Sequence, residues 1–211
     1  MLEKLPEVLG HALQGRRAGL EKILFNTIDL RNGTARLELS SLAFADHAPI
    51  PARFTADGEG LSPPLQWRNV PDEAATLALI VEDADSPTSE PLVHAIAVDI
   101  DTKRNGFAEG EITRETGAPA NLGRNSYLQQ GWLPPDPPPG HGVHRYAFQL
   151  FALAPGEPFS SAPGRKELAT ALHERAVASG CLIGTYARDN SIKVQDDEVS
   201  ALSGAAKQET A

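Results

Sequence analysis

The 211 residues include 28 Asp and Glu against 19 Lys and Arg, a net charge of −9, and 41% of them are hydrophobic. So acidic a chain lacks the basic surface that nucleic-acid phosphates demand, so any phosphate recognition has to be local. The length suits one globular domain with appendages, and no apolar run approaches the roughly 18 residues of a membrane span, so no stable membrane insertion is expected.

Residues 1–33 repeat Leu2, Leu5, Leu9 and Leu13, then Leu20 and Leu24. Spacings of three and four predict short amphipathic helices, broken at Gly10, Gly15 and Gly19. The stripe needs cover, either from this chain's own domain or from a second copy in a homodimer. No continuous apolar stretch or small-residue cleavage site marks a signal peptide, so a cytoplasmic location is expected.

From Thr34 the period changes to two. "TARLELS" (34–40) alternates Ala35, Leu37 and Leu39 with polar residues, as a half-buried strand does. "TLALIVE" (76–82), "LVHAIAVDI" (92–100) and "RYAFQLFAL" (145–153) are further strands, and the last is apolar on both faces, which predicts a central position. Proline- and glycine-rich loops separate them, among them "DADSPTSEP" and "LPPDPPPGHG". "GRKELATALHERAVASG" then reads as a helix, with Leu168, Leu172 and Ala176 four apart and Gly180 as its stop. "CLIGTYA" (181–187) closes the domain as a strand, and its Cys181, the chain's one cysteine, is expected to be a buried, inert thiol. The tail from Asp196 is small and polar and is expected to be unstructured. The whole predicts a mainly β fold: a two-sheet antiparallel β-sandwich over 34–195, with a C-terminal helix and an N-terminal helical extension over 1–33.

Polar side chains collect beside these strands in three places. Asp83 and Asp85 end one strand, His94 interrupts the next, and "HGVHRY" (141–146) opens a third. Alternation puts His144 and Tyr146 on one face of their strand and Arg145 on the other, where an ion pair is its expected role. His141 is expected to be an ordinary loop residue.

The motifs "SPPLQW" (62–67), "DADSP" (83–87), His94 in its apolar strand, "GRNS" (123–126) and "PPPGHGVHRYAF" (137–148) occur in this order. Together they resemble the phosphatidylethanolamine-binding protein family, in its bacterial Raf-kinase-inhibitor-like branch, over about residues 40–188. The resemblance implies a small rigid anion pocket lined by Asp83, Pro87, His94, His144 and Tyr146, with Gly123 and the 137–140 loop shaping its rim. It also implies a tight turn at Pro87, where a cis Ser86–Pro87 bond is expected. The ligand implied is a phosphate-containing small molecule or phospholipid head group, and a protein partner such as a kinase or protease is a further role. In such a pocket His94, His144 and Tyr146 would donate to phosphate and Asp83 would accept from an ammonium. The sequence departs from the family pattern at Leu92, where an aromatic wall is usual, and at Ala84, which replaces a proline.

Two other chemistries use the same residues. A hydrolase of small esters could join Ser126, His144 and Asp83, although "GRNSY" is not the Gly-x-Ser-x-Gly elbow. A metal site could use two histidines and a carboxylate, although their spacing carries no metal signature. The expectation is a non-catalytic binding protein without a cofactor.

Overall fold

A computed structural model of the chain describes residues 7–31, 35–113 and 120–188. Three antiparallel neighbours at the centre of its larger sheet, β3 (Thr76–Asp83), β4 (Leu92–Ile100) and β7 (His144–Leu153), are apolar on both faces because each face has its own cover. They lie in a five-stranded sheet of order β6-β4-β3-β7-β8, closed by β6 (Asn121–Leu122) and β8 (Ala176–Tyr186). One face packs Leu77, Leu79, Phe148 and Leu150 against Leu65, Trp67 and Phe107 of a three-stranded sheet, β1 (Glu38–Ser40), β2 (Leu65–Arg68) and β5 (Gly106–Phe107). The other packs Ala78, Ile80, Ile96 and Phe151 under Leu24 of α2 (Leu24–Thr27) and Leu168 and Leu172 of α3 (Arg165–Arg175). Each fully buried Leu, Ile or Phe is worth about 1.5–3 kcal/mol. The predicted antiparallel sandwich is therefore present, and β7 lies inside the larger sheet as its two apolar faces require.

The N-terminal segment docks on its own sandwich. After α1 (Glu7–Leu13) the chain runs to Ile23, which packs on Ala84 and Ala147, and to Leu24 and Ile28 in the helix-side core. Buried Glu82 pins it there, accepting from the Leu24 N–H (2.9 Å), Gln149 Nε2 (2.8 Å) and Arg165 Nε (2.6 Å). Leu2 and Leu5 of the stripe and the tail from Asp196 lie outside the described residues. Among those described, no helix is long and apolar enough to cross a membrane.

Three local expectations change. The helix expected to continue to Gly180 stops at Arg175, and Ala176 begins β8 at once. Pairing with β7 (Ala178 against Ala152, Gly180 against Leu150) overrides the helical tendency of the alanines. Gly180 is a clearance rather than a stop, since a Cβ there would strike the Leu37 carbonyl. β1 shortens for the same reason, because Leu37 turns aside to donate its N–H to the Ser179 carbonyl (2.9 Å). Finally, the Ser86–Pro87 bond is trans, as are all described peptide bonds. The turn closes without a cis bond, through the Asp85 N–H to Asp83 Oδ1 (2.8 Å) and Ser86 Oγ to the Asp83 carbonyl (3.2 Å).

Candidate ligand-binding site

Sheet register brings the three polar places together. Asp83, at the end of β3, pairs with Leu92 of β4 on one side and Tyr146 of β7 on the other. His144 and Tyr146 lie on the sandwich face of β7, as alternation requires. His94 reaches the same face by a β-bulge between the Val81 and Glu82 pairings, where β4 carries one residue more than β3. The bulge is visible in the packing: Val93, Ile96 and Val98 face the helices, while Ala95 and Ala97 face the other sheet.

These side chains line a cavity of about 250 Å³. Asp83, Pro87, His94, His144 and Tyr146 all border it, together with Leu92, Tyr127, Leu133, Pro134, Asp136, Pro137 and Pro138. The prolines stiffen one wall, and Arg188 anchors it, meeting Asp136 Oδ1 at 2.7 Å and the Pro137 carbonyl at 3.1 Å. Gly123 is not among the lining residues. It sits at the edge of β4, where its N–H reaches the Ile96 carbonyl (2.9 Å) and a Cβ would strike Pro163 and Ile96. The aromatic surface missing at Leu92 is supplied from another loop by Tyr127, 45% exposed.

Behind the cavity runs a row of short contacts. Asp83 Oδ2 meets His144 Nδ1 at 2.8 Å, His144 Nε2 meets His141 Nδ1 at 2.6 Å, and His141 Nε2 meets the Leu13 carbonyl of α1 at 2.8 Å. Three hydrogen bonds need three protons, and two neutral imidazoles bring two. A third has to come from within the row of Asp83, His144 and His141 if all three contacts are hydrogen bonds. Burial lowers the pKa of His141. His141 lies in a loop, as expected, but it is fully buried and extends the row from His144 to α1. Asp83, expected to await an ammonium, already uses Oδ1 for the Asp85 N–H and Oδ2 for His144. Arg145 forms the expected ion pair, donating from Nε (2.7 Å) and Nη2 (2.6 Å) to Asp85, which also meets Arg17 Nη1 at 2.8 Å.

On the cavity side the accounting is incomplete. His94 is buried, and its Nδ1 donates to the Leu133 carbonyl at 2.7 Å, so its Nε2 is left without a hydrogen-bond partner. The fully buried Tyr146 hydroxyl has none either. The two rings meet edge-on, with centroids 5.1 Å apart. Burial lowers the His94 pKa and raises that of Tyr146 well above its ordinary value, so both stand neutral near pH 7.

The rival chemistries do not assemble. Ser126 Oγ accepts the Val93 N–H at 2.8 Å and is not among the cavity-lining residues, while both nitrogens of His144 are occupied elsewhere. Among the described residues no group of three His, Cys, Asp or Glu side chains is placed to hold a metal ion. Cys181 is half-buried rather than fully buried, with its thiol pushed up to about 12 by burial, which leaves it inert.

The phosphatidylethanolamine-binding protein family model matches residues 40–187. A UPF0098 protein of Methanothermobacter thermautotrophicus is 35% identical over 72% of this chain and 99% of its own length. One from Mycobacterium tuberculosis is 38% identical over 71% of this chain and 70% of its own. Among solved structures, a Chlamydia trachomatis homologue of phosphatidylethanolamine-binding protein has a TM-score of 0.66 at 33% identity, covering 73% of this chain and 99% of that one. Escherichia coli YbcL shares the fold with a TM-score of 0.68 at 23% identity, over 73% of this chain. With its motifs, its two-sheet sandwich and these matches in agreement, the chain belongs to the phosphatidylethanolamine-binding protein family.

Proposed function

We propose that this is a non-catalytic binding protein whose cavity takes a phosphate-type head group. The observation that carries the reading is the pair of buried, unpartnered polar atoms, His94 Nε2 and Tyr146 Oη, facing one preformed cavity. Each buried polar group left unsatisfied costs about 1–3 kcal/mol, which a ligand pairing both recovers. A tetrahedral phosphate presents several oxygens within a small volume, so it can meet both atoms at once. Stiff proline walls lower the cost of ordering the site around it. The ammonium of a phosphoethanolamine would lie toward the ring of Tyr127, in place of the aromatic wall missing at Leu92. What supports the non-catalytic reading is that Ser126, the serine of the hydrolase alternative, is not among the cavity-lining residues and has its Oγ accepting the Val93 N–H.

Calorimetric titration with inorganic phosphate and with O-phosphoethanolamine tests this. Both are expected to bind, and His94→Ala should weaken them on the order of 10- to 100-fold, the loss of one hydrogen bond to a charged group. If neither binds to the wild-type protein, the phosphate reading is wrong.

A further inference from the structure

The hydrogen-bond polarity of the cavity is specific enough to choose among phosphate ligands. The Leu133 carbonyl can only accept, so the His94 Nδ1 contact at 2.7 Å fixes the proton on Nδ1. Neutral His94 therefore offers the cavity a lone pair at Nε2, not a proton. The charged and titratable groups around it do not reverse this. Asp83 is satisfied by His144 and the Asp85 N–H, Asp136 faces Arg188, and Tyr146 is held neutral by burial. Asp83 and Asp136 favour a proton on His94, while His144 and above all burial oppose it. No Lys or Arg is among the described residues that line the cavity. Among the described lining residues a bare oxyanion finds neutral donors, the hydroxyls of Tyr146 and Tyr127 and the Gln129 amide, but at His94 it confronts a lone pair.

We propose that the cavity selects oxyanions that carry their own proton, namely phosphate monoesters, over phosphodiesters and sulfate esters of the same charge. In the bound state the ligand P–O–H donates to His94 Nε2 and a second phosphate oxygen accepts from Tyr146 Oη. The consequence reaches biology, because an intact phospholipid head group is a diester and has no such proton. The cognate ligand is then a soluble monoester or a phosphorylated group, rather than a lipid embedded in a bilayer. This inference rests on the cavity being a phosphate site.

Methyl phosphate, dimethyl phosphate and methyl sulfate at pH 5.5 form a matched set of monoanions, because a phosphate monoester holds its second proton to about pH 6. Calorimetry should show methyl phosphate binding on the order of 10-fold or more tighter than either of the others. Its affinity should fall as pH rises from about 5.5 to 7.5, while the other two stay flat. Glycerophosphoethanolamine should likewise bind more weakly than O-phosphoethanolamine. His94→Gln, whose amide offers both a donor and an acceptor, should close the gap. Equal binding of methyl phosphate and methyl sulfate by the wild-type protein would overturn the selectivity and leave the phosphate site standing. Binding of none of the probes would overturn the site itself.

Discussion

Two groups of polar side chains share one end of this sheet, and burial does not distinguish them. Behind the cavity, Asp83, His144 and His141 form a closed row that ends on the Leu13 carbonyl, and Asp85 is held by Arg145 and Arg17. Facing the cavity, His94 Nε2 and Tyr146 Oη have no partner. All of Asp83, His94, His141, His144 and Tyr146 are at most 5% exposed. What separates them is whether their hydrogen bonds are complete. Complete sets hold the fold together; incomplete ones await a ligand.

The strongest way to break that distinction is to cut the closed row. Asp83→Ala removes the carboxylate facing His144 Nδ1 and leaves that buried nitrogen without its partner. The expected loss is about 3–5 kcal/mol, the cost of leaving one member of a buried pair unpartnered. Chemical denaturation of the two proteins measures it. A variant that unfolds within about 1 kcal/mol of the wild type would show that the row contributes little to the fold.

A smaller effect sharpens the comparison through pH. Burial works to raise the Asp85 carboxyl, but hydrogen bonds from Arg145 and Arg17 outweigh it and bring the pKa down to about 2. A carboxyl lowered in the folded state stabilises above its unfolded value, near 4, and that stability is lost as pH falls through about 2. The contribution is about 1–2 kcal/mol after allowing for the partly exposed guanidinium groups. Thermal melts of the wild type should therefore fall between about pH 4 and 2, and Asp85→Asn should flatten that fall. An unchanged slope in the variant would remove Asp85 from the account.

How far the sequence reveals these two groups depends on what set each position. Asp83, His144 and Tyr146 follow strand alternation, so a period of two is enough to place them. His94 does not. Strict alternation puts it with Ile96 and Val98 beneath the helices, and only the bulge turns it to the cavity. His141 lies between Gly140 (φ 76°) and Gly142 (φ 90°), a backbone that reads as an open loop. It is buried because α1 comes from 128 residues away to accept its proton at Leu13. The spacing of His141 and His144 was a usable signal for a paired row, but its partner at Leu13 is a backbone carbonyl and leaves no mark in the sequence. Tyr127 and Gly123 exchange roles for a similar reason. The loop after β6 passes the cavity four residues later than the motif suggests, so the tyrosine lines it and the glycine only clears Ile96 and Pro163.

The smallest expected effect has the opposite sign to the others, and it bears most directly on the difference between the two groups. Tyr146→Phe removes one oxygen from a fully buried position and leaves the ring where it is, stacked near His144 and edge-on to His94. If that hydroxyl were part of the closed row, its loss would cost about 1 kcal/mol or more, as removal of a satisfied hydrogen bond does. Because it has no partner, the unliganded variant is relieved of an unsatisfied polar group. Its stability should stay level or rise by up to about 1 kcal/mol. With saturating O-phosphoethanolamine the order should invert, because the wild type gains binding free energy that the variant has lost, and stabilisation by a ligand scales with its affinity. Melting curves of both proteins with and without the ligand show the crossing directly. A destabilised variant in the absence of ligand would place Tyr146 with the structural row, and the cavity would then lose one of its two ligand-facing groups.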